Sequence, residues 1–313
     1  MKRNIALTMS LVCMFLVTLT AAAGDDFSCS PANVAGTWGY IETATIFDSS
    51  TTPPTPYPYA SVGIYVLDRH GNIEGKRTAS LAGTTLRATI VGTATVNPDC
   101  TGTENLNFYD DEGNLTATAT KALVYVNKGR EAGKIITTAA APMVAITRAK
   151  RVLSGSRDLL GRDIDDNGKR AFGCSSADLE GQWGTTMEGR IMTSPTSSIP
   201  FGAANKGVYD SMGNFEATQI RSVNGTVSNV YGGGTYTLNP DCTGTKTIKT
   251  YDSTGKLLNT ATQDFVLVDD ANEIFEIFTS NIRHNNDGTT SPVPMVVTGQ
   301  SQKTFPKGAQ ALD

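Results

Sequence analysis

Histidine is nearly missing from this 313-residue chain, which has only His70 and His284. That shortage removes most zinc sites and most schemes that pair a nucleophile with an imidazole base. Charge is also sparse: Asp, Glu, Lys and Arg make up 18% of residues, and 30 acidic side chains outnumber 26 basic ones. A formal net charge of -4 argues against nucleic acid gripped through its phosphates and against a basic membrane-surface patch. There is no P-loop, no G-x-S-x-G elbow, no Rossmann glycine pattern, and no Cys or His cluster at zinc spacing. The expectation is a protein with no catalytic residues, no cofactor and no metal.

One long apolar run exists. Met1 to Asn4 is a short positive segment, Ile5 to Thr20 is apolar, and Ala21-Ala22-Ala23 supplies small residues before Gly24. This is the pattern of a secretory signal over residues 1–23, and the apolar run is short for a membrane span. The mature chain is therefore expected to be secreted or periplasmic, without a transmembrane span. Cys13 falls inside the signal. Cys29, Cys100, Cys174 and Cys242 remain, an even count that in an exported chain points to two disulfides with three connectivities open.

The strongest pattern is self-similarity. Cys29 to Gly39, containing Gly36-Thr37-Trp38, returns as Cys174 to Gly184, containing Gly181-Gln182-Trp183, at an offset of 183 - 38 = 145. Asn97-Pro98-Asp99-Cys100-Thr101-Gly102-Thr103 returns unchanged from Asn239 to Thr245, at an offset of 239 - 97 = 142. Pro142-Met143-Val144 matches Pro294-Met295-Val296 after an insertion in the second copy. Two domains are expected, 27–151 and 172–304, with a linker over 152–171 and a tail over 305–313. Each copy needs its own staple, so the duplication selects Cys29 with Cys100 and Cys174 with Cys242.

Within the first copy, eight runs near 35–47, 60–68, 72–82, 85–96, 102–110, 114–127, 132–139 and 143–150 read as strands. Leu115 to Thr120 alternates Thr with apolar residues at the start of the run to Val126, and Asp-x-x-Gly turns such as Asp68 to Gly71 and Asp210 to Gly213 punctuate the runs. Sequential antiparallel strands lose their edges by closing, so the predicted fold is all-β: two tandem up-and-down barrels of about eight strands.

Gly36-Thr37-Trp38 and Gly181-Gln182-Trp183 resemble the G-x-W start of the lipocalin and wider calycin group. The resemblance implies a Trp closing each barrel bottom, covered by a basic residue from the last strand. Arg148 is the candidate in the first copy; Gln300 holds the equivalent position in the second, with Lys303 nearby. The combined Cys, G-x-W and N-P-D-C-T-G-T pattern also resembles exported bacterial proteins.

Function in such barrels sits in loops and cavity. The Pro-rich segment from Asp48 to Tyr59, and Thr193 to Phe201 in the second copy, would lie over the open mouth. Tyr57, Tyr59 and Phe201, with Trp38 and Trp183, are accordingly the candidate ligand contacts, against a bland reading as rim packing and core plugs. Asp163-Ile164-Asp165-Asp166-Asn167-Gly168 copies the first half of a calcium loop, but position 12 is Cys174 rather than Glu, so a polar linker is the simpler reading.

The favoured function is an exported, non-catalytic binding or interaction module that holds a small apolar ligand or presents loops to a partner protein. Its rivals are a structural or inhibitory surface protein with filled barrels and, further off, a calycin-like cyclase or isomerase. Bulky residues meeting across a barrel would favour the filled reading. A polar cluster deep in an apolar cavity would favour the enzyme.

Overall fold

Each G-x-W motif starts a strand directly after one turn of helix. The computed structural model describes residues 28–153 and 173–304, together with a short pairing of β9 (Ser156–Arg157) with β10 (Asp163–Ile164) between them. The expected signal, the tail and Asp165 to Gly168 of the calcium-like motif lie outside the described residues.

In the first copy, α1 (Pro31–Val34) leads into β1 (Gly36–Asp48), β2 (Thr55–Leu67), β3 (Asn72–Leu81) and β4 (Thr84–Val96). The chain continues through β5 (Thr101–Tyr109), β6 (Leu115–Val126), β7 (Glu131–Ala139) and β8 (Met143–Arg151). Neighbours pair antiparallel in chain order, and β8 returns to β1, closing the barrel.

The second copy repeats this with α2 (Ser176–Leu179), β11 (Gly181–Ser194), β12 (Ser197–Tyr209), β13 (Asn214–Val223) and β14 (Thr226–Leu238). Then come β15 (Thr243–Tyr251), β16 (Leu257–Val268), β17 (Glu273–His284), β18 (Thr290–Pro292) and β19 (Met295–Lys303). Here β16 pairs with β17 and β19 with β11, so eight strands close again while β18 hangs on β17 as an extra edge. Among the described residues no helix is long and apolar enough to cross a membrane.

The repeated heptapeptide is one turn in which nearly every residue has a task. Asn97 accepts at its carbonyl from the Cys100 amide (3.0 Å) and donates its own amide to Thr101 (2.8 Å), while Asp99 Oδ1 accepts from the Thr101 amide and hydroxyl. The second copy repeats these bonds through Asn239, Asp241 and Thr243. Cys100 and Cys242 both take φ 67, a left-handed conformation uncommon in a non-glycine residue. Glycine at 102 and 244 is steric: a Cβ would lie 2.1 Å from the Thr95 carbonyl oxygen or 2.3 Å from that of Thr237.

The disulfides are Cys29–Cys100 and Cys174–Cys242, spanning 71 and 68 residues. They tie each N-terminal segment to its turn and persist in an oxidising environment. In the chain-entropy picture a loop of this length contributes roughly 4 kcal/mol. Replacing Cys174 and Cys242 by Ser should therefore lower the urea midpoint strongly, and a shift corresponding to under about 1 kcal/mol would show that the staple is dispensable.

The two barrels pack side by side. The outward residues Ala60, Val62 and Ile64 of β2 share a core with Val266, Val268, Ile277 and Val296 of the second copy. Gly39 lets the walls approach, since a Cβ there would lie 2.4 Å from Val268. Polar contacts frame this seam: Asp264 accepts from Thr78 and Arg87 (2.9 Å each), and Lys150 reaches Glu273 at 2.6 Å. β2 is consequently buried on both faces over much of its length.

Candidate functional site

The two barrels carry the same register, so interior positions can be compared one by one. Trp38 opposes Tyr65 and Arg151 in the first; Trp183 opposes Gly207 and Lys303 in the second. The offsets are 145 on the first strand, 142 from the second to the seventh, and 152 on the last.

The closed ends agree. Trp38 and Trp183 are both 0% exposed, and their indole N–H groups donate to the carbonyls of Val34 (3.0 Å) and Leu179 (2.7 Å) in the short helices. A cation covers each ring: Arg151 at 5.4 Å from Trp38, Lys303 at 5.3 Å from Trp183. The expected Arg148 is a misplacement by strand parity. Three residues from Arg151, it faces the opposite side of β8, beside Ile41 in the cleft between barrels.

Above its Trp the first barrel is filled. Tyr40 and Tyr65 meet at 6.2 Å between ring centres. Lys134 bridges Glu104 and the Tyr65 hydroxyl at 2.6 Å each, and Lys121 pairs with Glu42, which also accepts from Thr147. Arg77 lies 3.6 Å over the Phe108 ring and donates to Tyr59. The free space left among Tyr40, Tyr65, Ile90, Glu104, Lys121 and Lys134 is about 10 Å³, room for one water at most.

In the second barrel the same positions shrink. Tyr40 becomes Thr185, Tyr65 becomes Gly207, Ile90 becomes Gly232, Phe108 becomes Thr250 and Thr147 becomes Gly299. The result is a cavity of about 640 Å³, open at the end away from Trp183, within the size range of small-molecule sites. Its floor is Tyr209, Phe215, Lys246 and Glu276; its middle carries Met187, Ile248, Ala261 and Phe278; its mouth carries Phe201, Arg221 and Arg283.

One polar device survives in inverted form. Glu104 corresponds to Lys246 and Lys134 to Glu276, so the Glu–Lys pair of the first barrel recurs as Lys–Glu in the second, again with a tyrosine hydroxyl, Tyr209, on the lysine at 3.2 Å. The other pair is lost, because Glu42 becomes Met187 and Lys121 becomes Gln263.

Electrostatics follow. Burial pulls Lys134 down and the attraction of Glu104 does not fully offset it, with Lys121 adding repulsion. Burial acts on Lys246 too, but Glu276 outweighs it and holds the ammonium above the usual lysine range. For Glu42 burial pushes up, and Lys121 with the Thr147 hydroxyl pulls further down. Its carboxylate contributes stability above the unfolded value, about 4, and loses it as pH falls through the lower folded value. The turn aspartates, such as Asp99 and Asp210, held down mainly by hydrogen bonds from Thr101 and Asn214, have the same sign. The urea midpoint should fall as pH drops from about 4 to 2, and a flat profile there would contradict the ionised pair.

Of the five sequence candidates, only Phe201 lines the large cavity. Trp183 is sealed beneath it, Trp38 closes the filled barrel, Tyr59 is buried within that barrel, and Tyr57 is half-buried near its rim. The segments expected as mouth loops are partly strand: β1 runs to Asp48 and β2 begins at Thr55, which leaves 49–54 as the connection, while β11 and β12 are joined by a tight turn at 195–196. Pro56 and Pro58 fit because β3 pairs with β2 only from Tyr59 onward, leaving the prolines with a strand on one side. Among the described residues no group of three or more Asp, Glu, His or Cys is placed to hold a metal.

Known proteins add little. No family model matches the chain, and no curated protein matches it. Two crystal structures are weakly similar. A DUF3598 family protein from Nostoc punctiforme has 11% identity and a TM-score of 0.24 over 87% of this chain and 98% of its own. A protein from Nitrosomonas europaea provisionally assigned as AttH has 9% identity and a TM-score of 0.25 over 94% and 98%.

Proposed function

We propose that the protein is an exported, non-catalytic binding module in which the second barrel holds a small, largely apolar molecule and the first is a solid support. The observation that carries this reading is the contrast between about 640 Å³ of open space in one barrel and about 10 Å³ in its copy. Substitutions that open a barrel leave its side chains with fewer partners, and a ligand restores those contacts. Met187, Ala261, Phe278, Met295 and Val297 form an apolar cluster along one side of the cavity. The calycin-like G-x-W closure, the disulfides and the leader-like first 23 residues support an extracytoplasmic binder.

The polar floor bears on the cyclase or isomerase reading. Lys246, Glu276 and Tyr209 are a deep cluster in an otherwise apolar cavity. Yet Glu104, Lys134 and Tyr65 assemble the same three groups, with acid and base exchanged and the tyrosine two residues away on the second strand, where no substrate fits. The cluster is better read as inherited scaffold than as chemistry, which favours binding.

Native mass spectrometry of protein purified from a host that exports it, against an unfolded control, tests the reading. One small molecule per chain, released on unfolding, is the expected result. A bare mass that persists after incubation with lipid extract would refute it.

A further inference from the structure

The mouth of the cavity differs from its interior in charge. Arg221 on β13 and Arg283 on β17 both line it, and these strands stand four places apart in either direction around the barrel, so the two guanidiniums come from opposite walls. Among the described residues neither makes an ion pair; Arg221 donates only to Ser228. Burial and the like charge of Arg283 press Arg221 below its ordinary range, a repulsion that a bound anion would relieve. Lys256 adds to this rim, with Asp287 the single carboxylate lining it, already bonded to Thr289.

The first barrel lacks both arginines. Arg221 corresponds to Ala79. Arg283 lies on the part of β17 that outruns β7, where the second copy carries 152 - 142 = 10 extra residues before the last strand. A bulge leaves Thr279 unpaired in the β16–β17 ladder and shifts the alternation, so that Asn281 and Arg283 follow Phe278 onto the cavity wall. Deeper in, Gln263 is 0% exposed, and neither its amide oxygen nor its nitrogen has a partner. The Asn281 amide oxygen is also buried and unpartnered. An unpaired buried amide is costly, and this one lines the cavity.

We infer that the ligand of the second barrel is an amphiphile with an anionic head between Arg221 and Arg283, its chain running inward past Ile248, Phe278 and Met187. This rests on the binding reading above and adds the chemistry of the head group. Guanidinium forks suit both carboxylate and phosphate oxygens, and the two cations occur only in the copy that has space for a tail.

Titrating the full chain with dodecanoate, dodecyl phosphate and dodecan-1-ol, followed calorimetrically, tests it. At least one anion should bind 10-fold or more above the alcohol, in line with charge-assisted hydrogen bonds, and the better anion identifies the head. In Arg221→Gln/Arg283→Gln the anion-to-alcohol ratio should fall to within about 3-fold, while Arg221→Lys/Arg283→Lys keeps part of the preference. Equal binding of alcohol and anions, or a preference that survives the glutamine pair, overturns the head-group assignment alone. Failure of all three probes to bind overturns it together with the binding reading.

Discussion

Filling the second barrel with the first barrel's own side chains is expected to abolish small-molecule binding while preserving the fold. Gly207→Tyr and Gly232→Ile restore Tyr65 and Ile90 at equivalent points of the register. Both sites have room: an added Cβ meets nothing closer than 3.4 Å at Gly207 and 3.7 Å at Gly232. The new side chains would occupy the middle of the cavity and bury apolar surface at about 25 cal/mol per Å². Affinity for any ligand of the intact chain should drop at least 100-fold, about 2.7 kcal/mol, with thermal stability unchanged or raised. Calorimetric titration beside a melting curve checks both, and undiminished binding by a folded double variant would place the ligand elsewhere. The reciprocal change, Tyr65→Gly with Ile90→Gly, should destabilise the first barrel, because truncating buried side chains leaves a void.

Reversing one charge of the Glu104–Lys134 pair should cost far more than reversing both. Glu104→Lys leaves Lys134 facing a new cation, with Lys121 nearby, in a barrel with room for one water at most. Removing one partner of a buried pair typically costs about 3–5 kcal/mol, so loss of folding at moderate temperature is expected. Glu104→Lys/Lys134→Glu rebuilds the arrangement that Lys246 and Glu276 already hold on the same strands of the second barrel. It should recover most of the loss, which a double-mutant cycle from urea midpoints would measure. If the double reversal is as damaged as the single one, the two clusters are not interchangeable, and the inherited-scaffold reading of Lys246 and Glu276 fails with them.

The duplication, the disulfide pairing, the barrel class and the strand positions were legible in sequence because each rests on local signals: Cys spacing, Asp-x-x-Gly turns and Thr/apolar alternation. The connections after the first strand of each copy are shorter than their Pro and Ser content predicts, because Pro and Ser normally punctuate, whereas Pro56 and Pro58 sit on a stretch of β2 that β3 does not cover. Arg151, and not the expected Arg148, covers Trp38, because register across β1 and β8 depends on closure, which no short motif encodes. The side-by-side packing had a visible trace in Val62 to Leu67 and Phe265 to Val268, where residues without charge or hydroxyl-rich alternation run together, as strands buried on both faces do. The cavity also had one. Setting the copies in register exposes Tyr40/Thr185, Tyr65/Gly207 and Ile90/Gly232, but only once it is known which face points inward.

The account depends most on one barrel being hollow and its copy solid. Crystallography under xenon pressure measures this directly, since xenon enters apolar voids. The account predicts xenon density beside Met187, Phe278 and Met295 in the second barrel and none between Tyr40 and Tyr65 in the first. Density inside the first barrel, or a second barrel closed by its own side chains, would contradict it.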